Sequence, residues 1–311
     1  MNFRSSVALM GLAAVAVLVA GCGGPASQTA DTPEKVFNVG FSQCNLGEPY
    51  RVQMNADIEA EAAKHPELNI IFKNADNNTS VQQAQVREFI QQGVDLIIIS
   101  PLESVPLTAP VAEAMDKGIP VIVLDRAIEG DNYTCFIGGD NFQIGEAAGK
   151  YMVELLGGKG DIVELKGLMT SAPARLRHEG FKKGIEGSDI RIIFDADCKW
   201  LEPNAQAEMS TALSRFPRID AVYAHNDPGA HGAYQAARQK GREKEIKFIG
   251  IDGLPTEGVK YVRDGILEAT FVYPTCAPEA IEAALKILNG EEVPKDTLLE
   301  TRLITRDTLP Q

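Results

Sequence analysis

IPVIVLDR (residues 119–126) decides the fold. Its VIVL core suits a strand buried on both faces, and the run stops abruptly at a carboxylate and a guanidinium, Asp125 and Arg126. The same design recurs outward along the chain. AVYAH (221–225) runs into Asn226 and Asp227, FIGI (248–251) into Asp252 and Gly253, and VFNVGFSQ (36–43) ends before Asn45, Glu48, Tyr50 and Arg51. Strands of this kind separated by helical stretches imply a parallel sheet, and such sheets bind ligands beyond the carboxyl ends of their strands. Ends that carry carboxylate, guanidinium and carboxamide, with few nucleophiles among them, point to recognition rather than reaction.

The alternation continues almost without a break. Strands are expected at 36–42, 69–74, 95–100, 120–125, 133–138, 161–166, 190–196, 219–224, 246–251 and 267–273. Helices are expected near 51–64, 80–92, 104–117, 142–156, 173–186, 204–215, 228–240, 255–264 and 277–289. Gly93 and Gly118 close two of the helices, and Pro120 opens a strand where its missing N–H costs least. Asp227 reads as a helix N-cap. No GxGxxG opens the first βα unit and no P-loop occurs, so nucleotide phosphate binding has no support.

The N-terminus reads as an export signal. Arg4 precedes an uncharged apolar stretch from Val7 to Ala20, shorter than the roughly 20 residues a spanning helix needs. Val19-Ala20-Gly21-Cys22 then resembles the lipobox of bacterial lipoproteins, with cleavage before Cys22 and lipid on its sulfur; an ordinary secretory signal cut nearby is the alternative. Residues 1–21 are thus the signal peptide and 22–35 a flexible tether rich in Gly, Pro, Ser and Thr. The rest of the 311-residue chain is long enough for two lobes with separate cores. A net charge of −13 argues against nucleic acid and anionic lipid as partners. Export permits disulfides, but Cys44, Cys135, Cys198 and Cys276 allow three complete pairings, and small buried hydrophobes are an equal reading. His65, His178, His225 and His231 are too scattered for a metal site. No cofactor is expected.

VGFSQ (39–43), QGVDLIIISP (92–101), IPVIVLDR, GGDNFQIGEAAG (138–149), YAHND (223–227) and GIDG (250–253) stand in the order and at the spacing of one family. Together they resemble the periplasmic sugar-binding proteins of ABC importers, in the branch of the ribose- and galactofuranose-binding proteins. The resemblance covers nearly all of residues 36–305. It implies the type I fold, two doubly wound parallel-sheet lobes joined by a three-strand hinge and closing on a sugar. By position the first lobe comprises 36–139 plus 274–302, and the second 140–273 plus 303–311. It also implies a monomer that binds a monosaccharide or polyol and serves the transmembrane subunits of an ABC permease. Its place is the periplasm or cell surface, with membrane attachment only through the N-terminal lipid.

A sugar has apolar C–H faces and a belt of hydroxyls. Aromatic rings cover the faces, and charged groups make the strongest bonds to the belt. The resemblance places Trp200, the sole tryptophan, as the stacking aromatic of the second lobe, and Tyr50 with Arg51 beside it as in the galactofuranose branch. Asp125 and Arg126 match the acceptor–donor pair of the first lobe. Arg175 matches the second-lobe arginine, which leaves Arg177 a structural role. Asn226 and Asp252 complete the polar ring, and Tyr273 stands at a hinge position where ribose binders have glutamine. Ribose binders carry an aromatic pair where this chain has Glu48 and Pro49, which counts against ribose itself. Glu48 could meet a hydroxyl, a cationic amino group or water, and the sequence leaves the three open.

Other classes fit less well. A sugar-responsive repressor shares this fold but needs a DNA-binding headpiece of about 60 residues and a basic face. Asp125 and Asp252 could in principle be the carboxylates of a glycosidase, but neighbouring arginines would hold them ionised and remove a general acid. A protein presenting sugar to a chemoreceptor or sensor kinase is indistinguishable from a carrier at this level.

Overall fold

The computed structural model describes residues 35–310. The stretch expected to be a signal peptide, Cys22 and the expected tether up to residue 34 lie outside the described residues. From the start of the described chain, β1 (Phe37–Gln43), α1 (Pro49–Ala62), β2 (Leu68–Asn74), α2 (Thr79–Gln92) and β3 (Leu96–Ser100) alternate without a break. α3 (Ser104–Asp116), β4 (Val121–Leu124), β5 (Cys135–Gly139) and α4 (Asn141–Leu156) follow. The pattern resumes with β6 (Lys159–Lys166), α5 (Ala172–Gly184), β7 (Asp189–Asp197), α6 (Glu202–Arg215), β8 (Ala221–Ala224) and α7 (Asp227–Gln239). β9 (Lys247–Asp252), α8 (Gly258–Arg263), β10 (Ala269–Val272), α9 (Ala277–Leu288), β11 (Asp296–Leu299) and β12 (Leu303–Thr305) complete it.

Two six-stranded sheets result, ordered β2-β1-β3-β4-β5-β11 and β7-β6-β8-β9-β10-β12. All strands pair in parallel except β12, which runs antiparallel to β10. The chain crosses between sheets after β5, after β10 and after β11. β3 (LIIIS) and β4 (VIVL) are buried along their whole length, as the central strands of a sheet covered on both faces must be. Each fully buried branched side chain contributes about 1.5–3 kcal/mol, so these runs anchor the sheet and fix where Asp125 emerges.

β11 and β12 escape the sequence reading. They are short, and β11 alternates exposed and half-buried residues with no apolar run. Asp227 is not the cap of α7. Asn226 caps it, its Oδ1 accepting from Gly229 N at 3.0 Å, while Asp227 lies inside the first turn and accepts from Thr270 Oγ1 (2.7 Å) and Gly253 N (2.7 Å). It braces the strand end that carries Asp252. The four cysteines in the described chain are free and buried.

α4 and α5 pack through glycines. A Cβ on Gly145 or Gly180 would fall on the backbone carbonyl of Arg177 or Phe142, and one on Gly149 or Gly184 on that of Phe181 or Glu146, each well inside van der Waals contact. The two helices therefore meet backbone to backbone. That closeness lets Arg177 of α5 reach Asn141 at the start of α4, Nε to Oδ1 at 2.9 Å.

Candidate functional site

Ten residues at the carboxyl ends of the two sheets and on the hinge converge on a narrow hollow: Glu48, Tyr50, Arg51, Asp125, Arg126, Arg177, Trp200, Asn226, Asp252 and Tyr273. Three of them, Asp125 (φ 65°), Trp200 (φ 68°) and Asp252 (φ 128°), hold positive φ without being glycine. Such conformations cost of order 1–3 kcal/mol and persist where surroundings over-determine them, commonly at ligand sites. Here the tight exit from a strand is what swings each side chain into the hollow.

On the first-lobe wall, Arg51 Nη1 meets Asp125 Oδ2 at 2.5 Å and Ser100 Oγ at 2.8 Å. Arg126 donates Nη1 to Leu102 O at 3.3 Å, and its Nε stands 3.8 Å from Asp125 Oδ2. Glu48 accepts from Asn45 Nδ2 at 2.7 Å. Asn45 therefore positions Glu48 and does not itself line the hollow. Burial alone would push the Asp125 carboxyl up, but Arg51 and Arg126 outweigh it and hold the group below the usual carboxylate range.

On the second-lobe wall, the guanidiniums of Arg126 and Arg177 stand 5.3 Å and 5.4 Å from the centroid of the Trp200 ring. Gly167 sits flat against the indole, leaving no room for a side chain. Asn226 Nδ2 donates to Trp200 O at 3.0 Å. Arg177 donates to His225 O and stands 3.9 Å from Asp252 Oδ1. Burial pushes the Asp252 carboxyl well above its ordinary range; Arg177 opposes the rise, and Asp227 and Glu48 add to it. On the hinge, Tyr273 Oη donates to Asp125 O (3.2 Å) and accepts from Asn141 Nδ2 (3.2 Å), while Tyr50 Oη donates to Pro274 O (2.8 Å).

Arg175 does not reach the hollow, and Arg177 stands there instead. The buried stripe of α5 runs Ala174, Arg177, Phe181 at helical spacing. Arg175 falls off that stripe and pairs at the surface with Glu129 Oε1, 3.1 Å away across the lobes. Near it, Ser104 N donates to Thr170 O at 3.1 Å, a second contact between lobes outside the hollow. Residue by residue, periodicity held the signal that the alignment by resemblance displaced.

The sequence reading also missed Glu164, buried in β6 between His178 Nδ1 and His225 Nε2, both at 2.9 Å. Burial would raise its carboxyl, but the two histidine bonds prevail and hold it at about 2. The cluster stiffens the strand end just before Asn226. Beyond it, Glu257 is raised to about 7, by burial first and then by Asp227 and Glu202. Its folded value lies above the unfolded one, so its stabilising contribution is present below about 4.5 and is lost as pH rises through 7. Glu257→Gln is therefore expected to raise the melting temperature more at pH 8 than at pH 5, and equal shifts in scanning calorimetry would remove this assignment.

A larger surface hollow lies at the far edge of the second sheet, where Arg191 pairs with Asp161 at 2.6 Å and Arg218 with Asp220 at 2.8 Å. The convergent polar groups are those between the lobes. A periplasmic binding protein domain profile matches residues 39–292. This chain belongs to the periplasmic binding protein family. This periplasmic binding protein is 32% identical over 278 residues to the ribose import binding protein of Bacillus subtilis (strain 168), covering 88% of each chain. Among solved structures it is similar to the fructose-binding periplasmic domain of a hybrid two-component system, with 44% identity and a TM-score of 0.86 over 88% of this chain and 92% of that one. A galactofuranose-binding protein superposes with a TM-score of 0.84 at 29% identity, over 88% of this chain and 96% of the other. The family is one of substrate-binding carriers, not catalysts, and the two-sheet fold is its type I fold.

Proposed function

We propose that this periplasmic binding protein captures one monosaccharide between its lobes, 36–139 plus 274–302 and 140–273 plus 303–311, and delivers it to an ABC permease. The observation that carries this reading is a set of four buried N–H groups with no partner among the described residues: Arg51 Nε, Arg126 Nε and Nη2, and Trp200 Nε1. All belong to residues that line the hollow, beside the carboxylates of Glu48, Asp125 and Asp252. A buried polar group left unpaired costs about 1–3 kcal/mol, so these donors call for a ligand rich in acceptors, and the carboxylates call for one that also donates. Hydroxyls do both. Similarity to fructose- and galactofuranose-binding proteins makes fructose and other furanose-forming hexoses the first candidates.

Both walls contribute groups, so ligand stabilises the closed form, the only one that makes both sets of contacts. Asn226, Asp252, Arg177 and Trp200 act from one side, Glu48, Tyr50, Arg51, Asp125 and Arg126 from the other, with Tyr273 at the hinge. Lipid on Cys22 would keep the carrier at the membrane, and a Cys22→Ala variant still found in the membrane fraction would exclude that anchor.

The test is a sugar panel read by melting temperature and Trp200 fluorescence, after bound ligand is stripped by partial unfolding and refolding. A ligand at a hundred times its Kd stabilises by about 2.7 kcal/mol, an expected rise of about 5–10 °C at this size. Fructose or a related furanose should produce that rise and perturb Trp200. No response to any pentose, hexose or polyol would sink the reading. A second reading, sugar sensing, is favoured by the 44% identity to a two-component periplasmic domain. Deleting the gene should abolish uptake of the sugar if the protein is a carrier, and only the induced response if it is a sensor.

A further inference from the structure

We propose that Glu48 is the residue that closes this site to anionic sugars such as uronates, an inference that rests on the sugar-binding reading above. Glu48 precedes the first turn of α1, where a side chain commonly caps the helix, yet it makes no capping bond. Its backbone carbonyl holds the turn, accepting from Arg51 N at 2.9 Å, and its side chain turns inward and is 6% exposed. Asn45 fixes Oε1 at 2.7 Å. Oε2 is thereby left 3.5 Å from Arg126 Nη2 and 3.7 Å from Arg51 Nε.

Those distances decide the chemistry. Nε and Nη2 of Arg126 form the fork that grips a carboxylate through two parallel bonds. Both are buried and have no hydrogen-bond partner among the described residues. Without Glu48 the fork, with Arg51 Nε beside it, would suit an anion. Glu48 at 3.5 Å and Asp125 at 3.8 Å offset the charge of Arg126 while standing too far away to occupy its donors. A ligand hydroxyl can still accept from the fork. A ligand carboxylate placed there would lie among two carboxylates already present, and like charges a few ångströms apart in a buried site repel strongly. Two guanidiniums face two carboxylates on this wall, so it takes a neutral polyol without an unbalanced charge.

Titration calorimetry at pH 7.5 with D-fructose, D-galactose, D-glucuronate and D-galacturonate tests this in the wild-type protein, Glu48→Gln and Glu48→Ala. The wild-type protein should bind its preferred neutral sugar at least about 100-fold tighter than either uronate. In both variants the uronates should gain absolute affinity, and the gap should narrow at least tenfold. Uronate binding within tenfold of the neutral sugar in the wild-type protein would overturn the inference, and so would variants that bind the neutral sugar with no gain for uronates. The wild-type ratio holds whether or not a variant folds. If the wild-type protein binds no neutral sugar at all, the sugar-binding reading itself fails and takes this inference with it, an outcome distinct from the other two.

Discussion

Asp125→Ala should weaken sugar binding at least about a hundredfold and destabilise the protein by about 3–5 kcal/mol. Asp125 is buried and holds Arg51 by the shortest ion pair of the cleft, 2.5 Å, with Arg126 close by. Removing its carboxylate leaves Arg51 with Ser100 and the more distant Glu48. An uncompensated buried charge of this kind is among the largest penalties a single substitution imposes. Binding falls for a second reason. A charge-assisted bond to a ligand hydroxyl contributes about 1.5–3 kcal/mol, and the arginines that donate to the ligand lose the group that orients them. Together these predict a loss of affinity of at least about a hundredfold. Urea denaturation and titration on the same preparation separate the two effects. A variant within tenfold of wild-type affinity would show that Asp125 is a brace only, and unchanged stability would show that the pair with Arg51 is not needed by the fold.

Gly180→Ala is expected to lose about 3 kcal/mol, the upper end of what overpacking costs. The added methyl would fall on the Phe142 carbonyl, and rigid backbone cannot rotate away as a side chain would. α5 must therefore lift from α4. Arg177 rides on α5, so its bond to Asn141 and its place beside Trp200 should be disturbed together. Affinity is expected to fall about tenfold although residue 180 touches no ligand. A control at Gly187, which has open space around it but a positive φ, separates crowding from backbone strain. A loss below 1 kcal/mol in chemical denaturation would mean the helices have more slack than their spacing implies.

How far the sequence reaches depends on which kind of order a residue obeys. The central strands were readable because burial on both faces leaves no choice but apolar β-branched runs, and Asp125, Asn226 and Asp252 were readable because each terminates such a run. Arg177 was equally written in the helical spacing of Ala174 and Phe181, yet positional resemblance pointed to Arg175. Glu164 was hidden for a different reason. A carboxylate in mid-strand looks like a solvent-facing residue until His178 and His225, brought from two other elements, are seen to close around it. The role of Asp227 likewise depends on Thr270 and Gly253, partners distant in sequence. β11 and β12 carry little apolar signal of their own and form because a sheet edge is there to receive them.

The two contacts between lobes outside the hollow, Arg175 with Glu129 and Ser104 with Thr170, bear on time rather than on recognition. They touch no ligand, so they favour no sugar over another. In the proposed opening and closing of the lobes, they break before a bound molecule leaves and are not yet made when one arrives. An exposed ion pair is worth up to about 1 kcal/mol, enough to lengthen residence by at most about fivefold while leaving the rate of capture untouched. These contacts can therefore drift in evolution, adjusting dwell time by a few-fold without changing which sugar is held.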